Sequence, residues 1–150
     1  MKLATALSER SALQTRLEQL KTRLNDNAKV QEGDEPEENP EELLAELNTI
    51  MERMEELIAR INRTNSAVQR DGKSLSDLLA HRDCLRQKIT VMRNFLHAAS
   101  SKVDRYSRTE IRIASTVPVR ELQKQVDDLS AELRRTDETI QELNWLTELL

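Results

Sequence analysis

Apolar residues recur every three, then four, positions in four stretches that together occupy most of the 150 residues. The first runs Leu3, Ala6, Leu13, Leu17, Leu20, Leu24, with Arg10 in its one gap; the second runs Leu43, Leu47, Ile50, Met54, Leu57, Ile61, Thr64, Val68. The third runs Leu75, Leu78, Arg82, Leu85, Ile89, Met92, Leu96, Ala99, Val103, Tyr106, and the fourth Val119, Leu122, Val126, Leu129, Leu133, Thr136, Ile140, Leu143, Thr147, Leu150. Such spacing keeps one stripe of a helix turned toward a neighbouring helix. The predicted fold is therefore all-α: an antiparallel bundle of four long heptad-patterned helices forming one domain over 1–150. Aromatics at 2%, charged residues at 33%, two glycines and three prolines suit elongated helices packed along narrow seams. The segments share a period but no motif, so they are not tandem repeats. The second carries an extra apolar row, Leu44, Met51 and Ile58, which predicts a helix facing more than one neighbour and the most buried of the four.

Breaker residues place the boundaries. Helix one is expected over about 2–26, ended by Asn25-Asp26-Asn27, whose short polar side chains bond locally and tolerate left-handed backbone. Residues 28–39 read as an acidic loop broken by Gly33 and Pro36. Asn39-Pro40-Glu41-Glu42 combines a capping side chain, a first-turn proline and acids at the positive dipole end, so helix two starts there and runs to about Gln69. Arg70-Asp71-Gly72-Lys73 is a tight turn, and Ser74 with Asp77 resembles a capping pair that opens helix three. Helix three is predicted to reach about Tyr106, roughly 45 to 50 Å at 1.5 Å per residue. Alternating, β-branched 109–117 reads as a strand, and Pro118 starts helix four. A lone strand needs a partner. The expectation is a short two-stranded element formed by about 28–32 and 109–117 at one end of the bundle.

The formal net charge of -4 offers no general attraction to nucleic acid or anionic lipid. One cysteine, Cys84, cannot close an internal disulfide, which favours a reducing compartment. The start reads Met1-Lys2-Leu3-Ala4-Thr5 and then Ser8-Glu9-Arg10, without a secretory apolar region, and no run approaches the roughly 18 residues that span a bilayer. The expectation is a cytoplasmic protein. Charge is unevenly spread: acids dominate 28–57, whereas 82–112 is basic. A nucleic-acid face is one reading. Folding the helix two–three hairpin sets the basic end of helix three against the acidic loop, so internal pairing is preferred, and base-stacking aromatics are scarce.

Polar residues in the stripes carry the remaining signal. Arg10, Arg82, Thr64 and Thr136 occupy seam positions, with Asn62 and Asn65 beside Thr64; Arg60 and Arg63 lie in the same turns. Register counted from the turns puts Arg10 near Glu55 or Glu56, and Arg82 near Arg60 and Glu142. Buried charges need partners, so these residues suggest a polar layer that sets register, or an anion-binding pocket between helices. His81 and Cys84 share a face, but no second pair completes a metal site, and they read as solvated. Neither His81 nor His97 follows a glutamate by three residues, so the carboxylate-bridged di-iron pattern is absent. Two glycines cannot build a phosphate loop, and no nucleophile elbow exists. No catalytic residue, metal or cofactor is predicted.

The last turns, Leu143-Asn144-Trp145-Leu146-Thr147-Glu148-Leu149-Leu150, leave Trp145, Leu146 and Leu149 off the seam. These three either fold over the start of helix one or form a subunit interface; the interface, and hence a homo-oligomer, is the preferred reading. Val30, Tyr106, Arg108, Ile111, Arg112 and Ile113 join them as end-cap or interface candidates.

The segments Asn27-Ala28-Lys29-Val30-Gln31-Glu32-Gly33-Asp34-Glu35-Pro36, Ile61-Asn62-Arg63-Thr64-Asn65, Val103-Asp104-Arg105-Tyr106-Ser107-Arg108-Thr109-Glu110-Ile111-Arg112, Asn144-Trp145 and Thr147-Glu148-Leu149-Leu150 resemble a family of small bacterial helical proteins often labelled septicolysin. The resemblance spans nearly the whole chain and implies a bacterial cytoplasmic helical protein, without an activity to carry over. The label implies a pore-forming cytolysin; charges interleaved through every helix argue against that. The resulting expectation is a non-enzymatic, self-associating structural or interaction module. A pore-forming protein is the second reading and a nucleic-acid-binding module the third. The protein partner is unidentified.

Overall fold

In a computed structural model, which describes residues 1–101 and 112–150, the chain forms four helices and one short antiparallel sheet. Helix α1 is Leu3–Asp26, α2 Pro40–Ala67, α3 Leu75–Ser100 and α4 Val119–Leu146; strands β1, Gln69–Arg70, and β2, Lys73–Ser74, join α2 to α3. The fold class is all-α, and its helix-on-helix packing is that of a bundle. The chain divides into two compact units, 1–74 with 143–150, and 75–142.

Helix boundaries follow local chemistry. Asn39 accepts a hydrogen bond at Oδ1 from the Glu41 amide at 3.0 Å, with Pro40 next and Glu41 and Glu42 in the first turn. Asn27 ends α1 differently from the expectation: its φ is -105°, not left-handed. The side chain does the capping instead, donating from Nδ2 to the Arg23 carbonyl at 2.8 Å and accepting from the Glu38 amide at Oδ1 at 3.0 Å. That pair closes the acidic loop onto the end of α1. Helix α3 is described to Ser100, the rest of the predicted stretch to Tyr106, 102–106, lying outside the described residues; there Ser100 Oγ bonds the Leu96 carbonyl at 2.7 Å and Ser101 Oγ the Ala98 carbonyl at 3.1 Å. Hydroxyls that take helix carbonyls loosen a last turn.

The two-stranded element lies in the α2–α3 connection and not at 28–32 and 109–117. Gln69 pairs with Ser74 and Arg70 with Lys73 around Asp71 (φ 52°) and Gly72 (φ 78°). Two consecutive left-handed residues make the mirror-image turn whose twist matches paired strands, and Asp-Gly is its preferred sequence. Residues 28–32 are irregular, as are 112–117, while 109–111 lie outside the described residues. Alternation at 112–117 reflected β-branched composition without a neighbouring strand to pair with.

In the first unit α1 and α2 run antiparallel, burying Leu3, Ala6, Leu13 and Leu20 of one and Leu43, Ile50, Met54, Leu57 and Ile61 of the other. The extra row on α2 does not face a second neighbour: Leu44, Met51 and Ile58 are exposed. In the second unit Ile89, Leu96 and Val126 form a core, with Met92, Val119, Leu122, Leu129 and Leu133 packed against it. Arg93 meets Ser130 and Arg86 meets Asp137, so α3 and α4 are also antiparallel.

Candidate functional site

The first unit is tied at one end by its own termini. Helix α1 begins at Leu3 with Lys2 as an N-cap whose side chain makes no capping hydrogen bond. A bare helix start leaves amides without partners. Here the Leu3 amide donates to the Thr147 carbonyl at 2.9 Å, and the Leu149 amide to the Met1 carbonyl at 2.8 Å, around a bridge between Lys2 and Glu148. Lys2 Nζ reaches the Leu146 carbonyl at 2.9 Å and the Glu148 carboxylate at 2.8 Å, which the Met1 amino group also meets at 3.1 Å. These cations hold Glu148 below the ordinary glutamate value of 4.5, the Lys2 hydrogen bond contributing most.

Thr64 receives the segment from the other side. Fully buried, it donates from Oγ1 to the Arg60 carbonyl at 2.8 Å and accepts from the Leu150 amide at 3.0 Å. Arg60 Nε donates to the Leu150 main-chain oxygen at 2.8 Å, while its Nη1 lies 3.4 Å from Glu56. Thr64 and Arg60, two of the predicted polar-layer residues, therefore clasp the C-terminal segment 147–150. Asn65 is half-buried beside them, whereas Asn62 and Arg63 are exposed. Helix four ends at Leu146, so the expected seam through Thr147 and Leu150 does not form: Leu149 is buried and Leu150 exposed. Leu149, predicted at a subunit interface, folds into its own chain because an extended segment turns alternate residues inward. Trp145 and Leu146 remain 65% and 63% exposed.

A ladder of ion pairs runs along α1 and α2. Arg53 grips Glu9 through Nε–Oε1 at 2.7 Å and Nη2–Oε2 at 3.0 Å, and contacts Glu56 at 2.7 Å. Arg16 meets Glu46 at 3.0 Å; Arg23 meets Glu38 at 2.6 Å and Glu46 at 3.3 Å. Hydrogen bonds from Arg53 lower the Glu9 and Glu56 carboxyls, and one from Arg23 lowers Glu38. Glu9, and not Arg10, makes the crossing contact; Arg10 is exposed, contrary to its place in a buried layer. At that position the row steps to the helix flank, where a long side chain reaches water at no cost. The acidic loop finds a cation in Arg23 of α1; residues 102–106, whose bases were expected to meet it, lie outside the described residues. Around that pair, Glu37, Glu38, Glu42 and Glu46 surround an open cleft of about 290 Å³. Four carboxylates against one engaged guanidinium make it unsuited to an anion.

In the second unit Arg82 is half-buried, its Nη2 3.0 Å from Asp83 and its Nε 3.9 Å from Asp137, and Arg86 is 3.3 Å from Asp137. His81, predicted to be solvated, lies with Nε2 2.9 Å from Glu132 Oε1. Cys84 is a free, exposed thiol. Among the described residues no group of three or more His, Cys, Asp or Glu could hold a metal ion. Val30, Arg112 and Ile113 are exposed in irregular segments; Tyr106, Arg108 and Ile111 lie outside the described residues.

Each unit also exposes large apolar side chains. On α2 the row of Leu44, Met51 and Ile58 lies about 90° around the helix from its buried stripe, by the usual 100° per residue. On α3, Val91 and Phe95 are exposed one turn apart, a pair the periodicity had left unremarked because it falls outside the seam. No helix of the described residues is long and apolar enough to cross a membrane.

A crystal structure of a functionally unknown conserved protein from Corynebacterium diphtheriae is similar to this chain, with 45% sequence identity and a TM-score of 0.90. The match covers 100% of this chain and 99% of that one. No curated protein matches. Residues 10–149 match the family of unknown function DUF6847, and the chain belongs to that family.

Proposed function

With membership of that family as the premise, we propose that the chain is a non-catalytic, self-associating helical module that works through its surfaces. The observation that carries this reading is the apolar area outside the cores: Leu44, Met51 and Ile58 in line on α2, and Trp145 and Leu146 at the end of α4. Apolar rows on an otherwise charged surface gain from being covered, at roughly 25 cal/mol for each Å² removed from water. The polar groups of the site support the same reading, since they are engaged in holding the chain together: Thr64 and Arg60 on the C-terminal segment, Lys2 on Glu148, Arg53 on Glu9. The bases of α3 that could meet nucleic acid include Arg86, already set against Asp137, and Arg93, set against Ser130. An exposed free Cys84 fits work in the reducing cytoplasm.

Sedimentation or light scattering over a concentration series tests the reading. The expected outcome is a mass of at least two chains that dissociates on dilution; a single-chain mass at every concentration overturns it. The resemblance to septicolysin-labelled proteins favours a second reading, a membrane-acting one. Release of dye from lipid vesicles by the pure protein would establish that reading, and intact vesicles would remove it.

A further inference from the structure

The α1–α2 hairpin has two long faces, and the chain closes one of them with charge. On that face Glu9 meets Arg53, and Glu46 meets Arg16 and Arg23, so ion pairs cross from helix to helix along its length. At about 100° per residue, Glu9 and Arg10 lie on opposite flanks of the buried α1 stripe, and Arg53 and Met51 on opposite flanks of the α2 stripe. Arg10 and the row of Leu44, Met51 and Ile58 therefore share the second face. Among the described residues no ion pair crosses there. Leu7 and Leu17 of α1 and Leu47 of α2 lie half-buried on the same side. The exposed row extends about 21 Å at 1.5 Å per residue, and its spacing of seven is that of a coiled-coil seam. An apolar strip of this length on a helix pair is a seat for a further amphipathic helix.

The rim indicates what that helix carries. On the outer side of the row stand Glu55, Glu41 and Glu52, exposed, their carboxylates paired with no cation among the described residues. Arg53 and Arg60 lie on the far side of α2, engaged with Glu9 and the Leu150 main-chain oxygen. Across the row, Arg10 is likewise exposed and unpaired. We propose that this face docks an amphipathic helix of another protein. Its apolar stripe lies on Leu44, Met51 and Ile58, lysine or arginine lines its edge over Glu41, Glu52 and Glu55, and an acidic side chain faces Arg10. Charge decides among occupants, as flanking charges do wherever helices choose partners along an apolar row. The three carboxylates repel nucleic acid and anionic lipid, and α2 of a second copy would bring further carboxylates to them. The inference goes beyond self-association and holds whether or not copies also meet through Trp145 and Leu146.

Titration of the full chain with a labelled synthetic peptide tests it. The probe is a helix of about three heptads with leucine at the a and d positions and lysine at e and g; its control carries glutamate in place of lysine. The lysine peptide is expected to bind, less tightly as salt rises, and the glutamate peptide at least about tenfold more weakly. Met51→Arg weakens the lysine peptide by about tenfold or more, with helicity unchanged because Met51 is exposed. Glu52→Lys combined with Glu55→Lys reverses the preference between the peptides. Glu37→Gln combined with Glu42→Gln, at the separate acidic cleft, leaves binding unchanged. Failure of both peptides to bind overturns the inference, as does binding that survives Met51→Arg or is abolished by the cleft variant. Dissociation of an oligomer by Met51→Arg without peptide would give the row to a second copy, overturning the inference while upholding self-association. A single-chain mass at every concentration, with the lysine peptide bound in a Met51-dependent way, supports the inference and overturns self-association alone.

Discussion

Thr64 shows how much one polar residue in an apolar stripe can organise. Its hydroxyl serves two masters, bonding back to the Arg60 carbonyl and receiving the Leu150 amide, so a seam position that could have held valine instead anchors a segment 86 residues away. Thr64→Val preserves shape and removes both bonds. It is expected to cost about 1 to 3 kcal/mol, because two bonds are lost and the Leu150 amide is left without its acceptor. Because the lost acceptor serves Leu150, the variant should also speed hydrogen exchange at that amide while exchange in the middle of α2 stays slow. A thermal melt checks the first expectation and exchange measured by NMR the second; unchanged protection at Leu150 would show that Arg60 alone holds the segment. Asn27 plays the corresponding part at the other end, where its amide joins α1 to the acidic loop and brings Glu38 to Arg23.

Among the elements, the hairpin between α2 and α3 depends on two residues in left-handed backbone. A Cβ added at Gly72 would meet nothing within 4 Å, so replacement tests the backbone alone. Gly72→Ala is expected to lower stability by about 1 kcal/mol through its φ of 78°. Asp71→Gly, at the other left-handed position, relieves that strain and should be close to neutral in the same urea titration. Equal losses at both positions would mean that the Asp71 side chain, rather than dihedral preference, secures the turn. The helices themselves needed no such device: each stripe was visible in spacing, and α1 and α2 end within two residues of where Asn27, Asn39-Pro40 and the Asp71-Gly72 turn place them.

For the molecule as a whole, the ion pairs of the first unit tie stability to pH. Arginines lower the carboxyls of Glu9, Glu38 and Glu56 beneath 4.5, and Lys2 with the Met1 amino group lowers Glu148. A carboxyl lowered by folding stabilises the folded state above its unfolded value, and that contribution is lost as pH falls through the folded value. The melting temperature is therefore expected to fall between about pH 5 and pH 3, more steeply at low salt than in 0.5 M salt, since exposed pairs are screened. Arg53→Met should flatten this acid limb by removing the partner of both Glu9 and Glu56. An identical pH profile in the variant would place the acid sensitivity elsewhere.

The primary structure alone determined that this chain is helical, where its four helices begin, and which stripe of each is buried, because those properties depend on neighbours within a few residues. Tertiary structure decided the rest. Whether 112–117 became a strand depended on a partner strand; whether Leu149 or Leu150 turned inward depended on where α4 ended and on α1 offering an amide to Thr147. Arg10 and Glu9 are adjacent in sequence, and only the placement of Arg53 selected Glu9. The row of Leu44, Met51 and Ile58 was equally legible from spacing, but spacing measures apolarity and not cover. Its exposure follows from where α1 lies on α2, a fact that no local pattern contains.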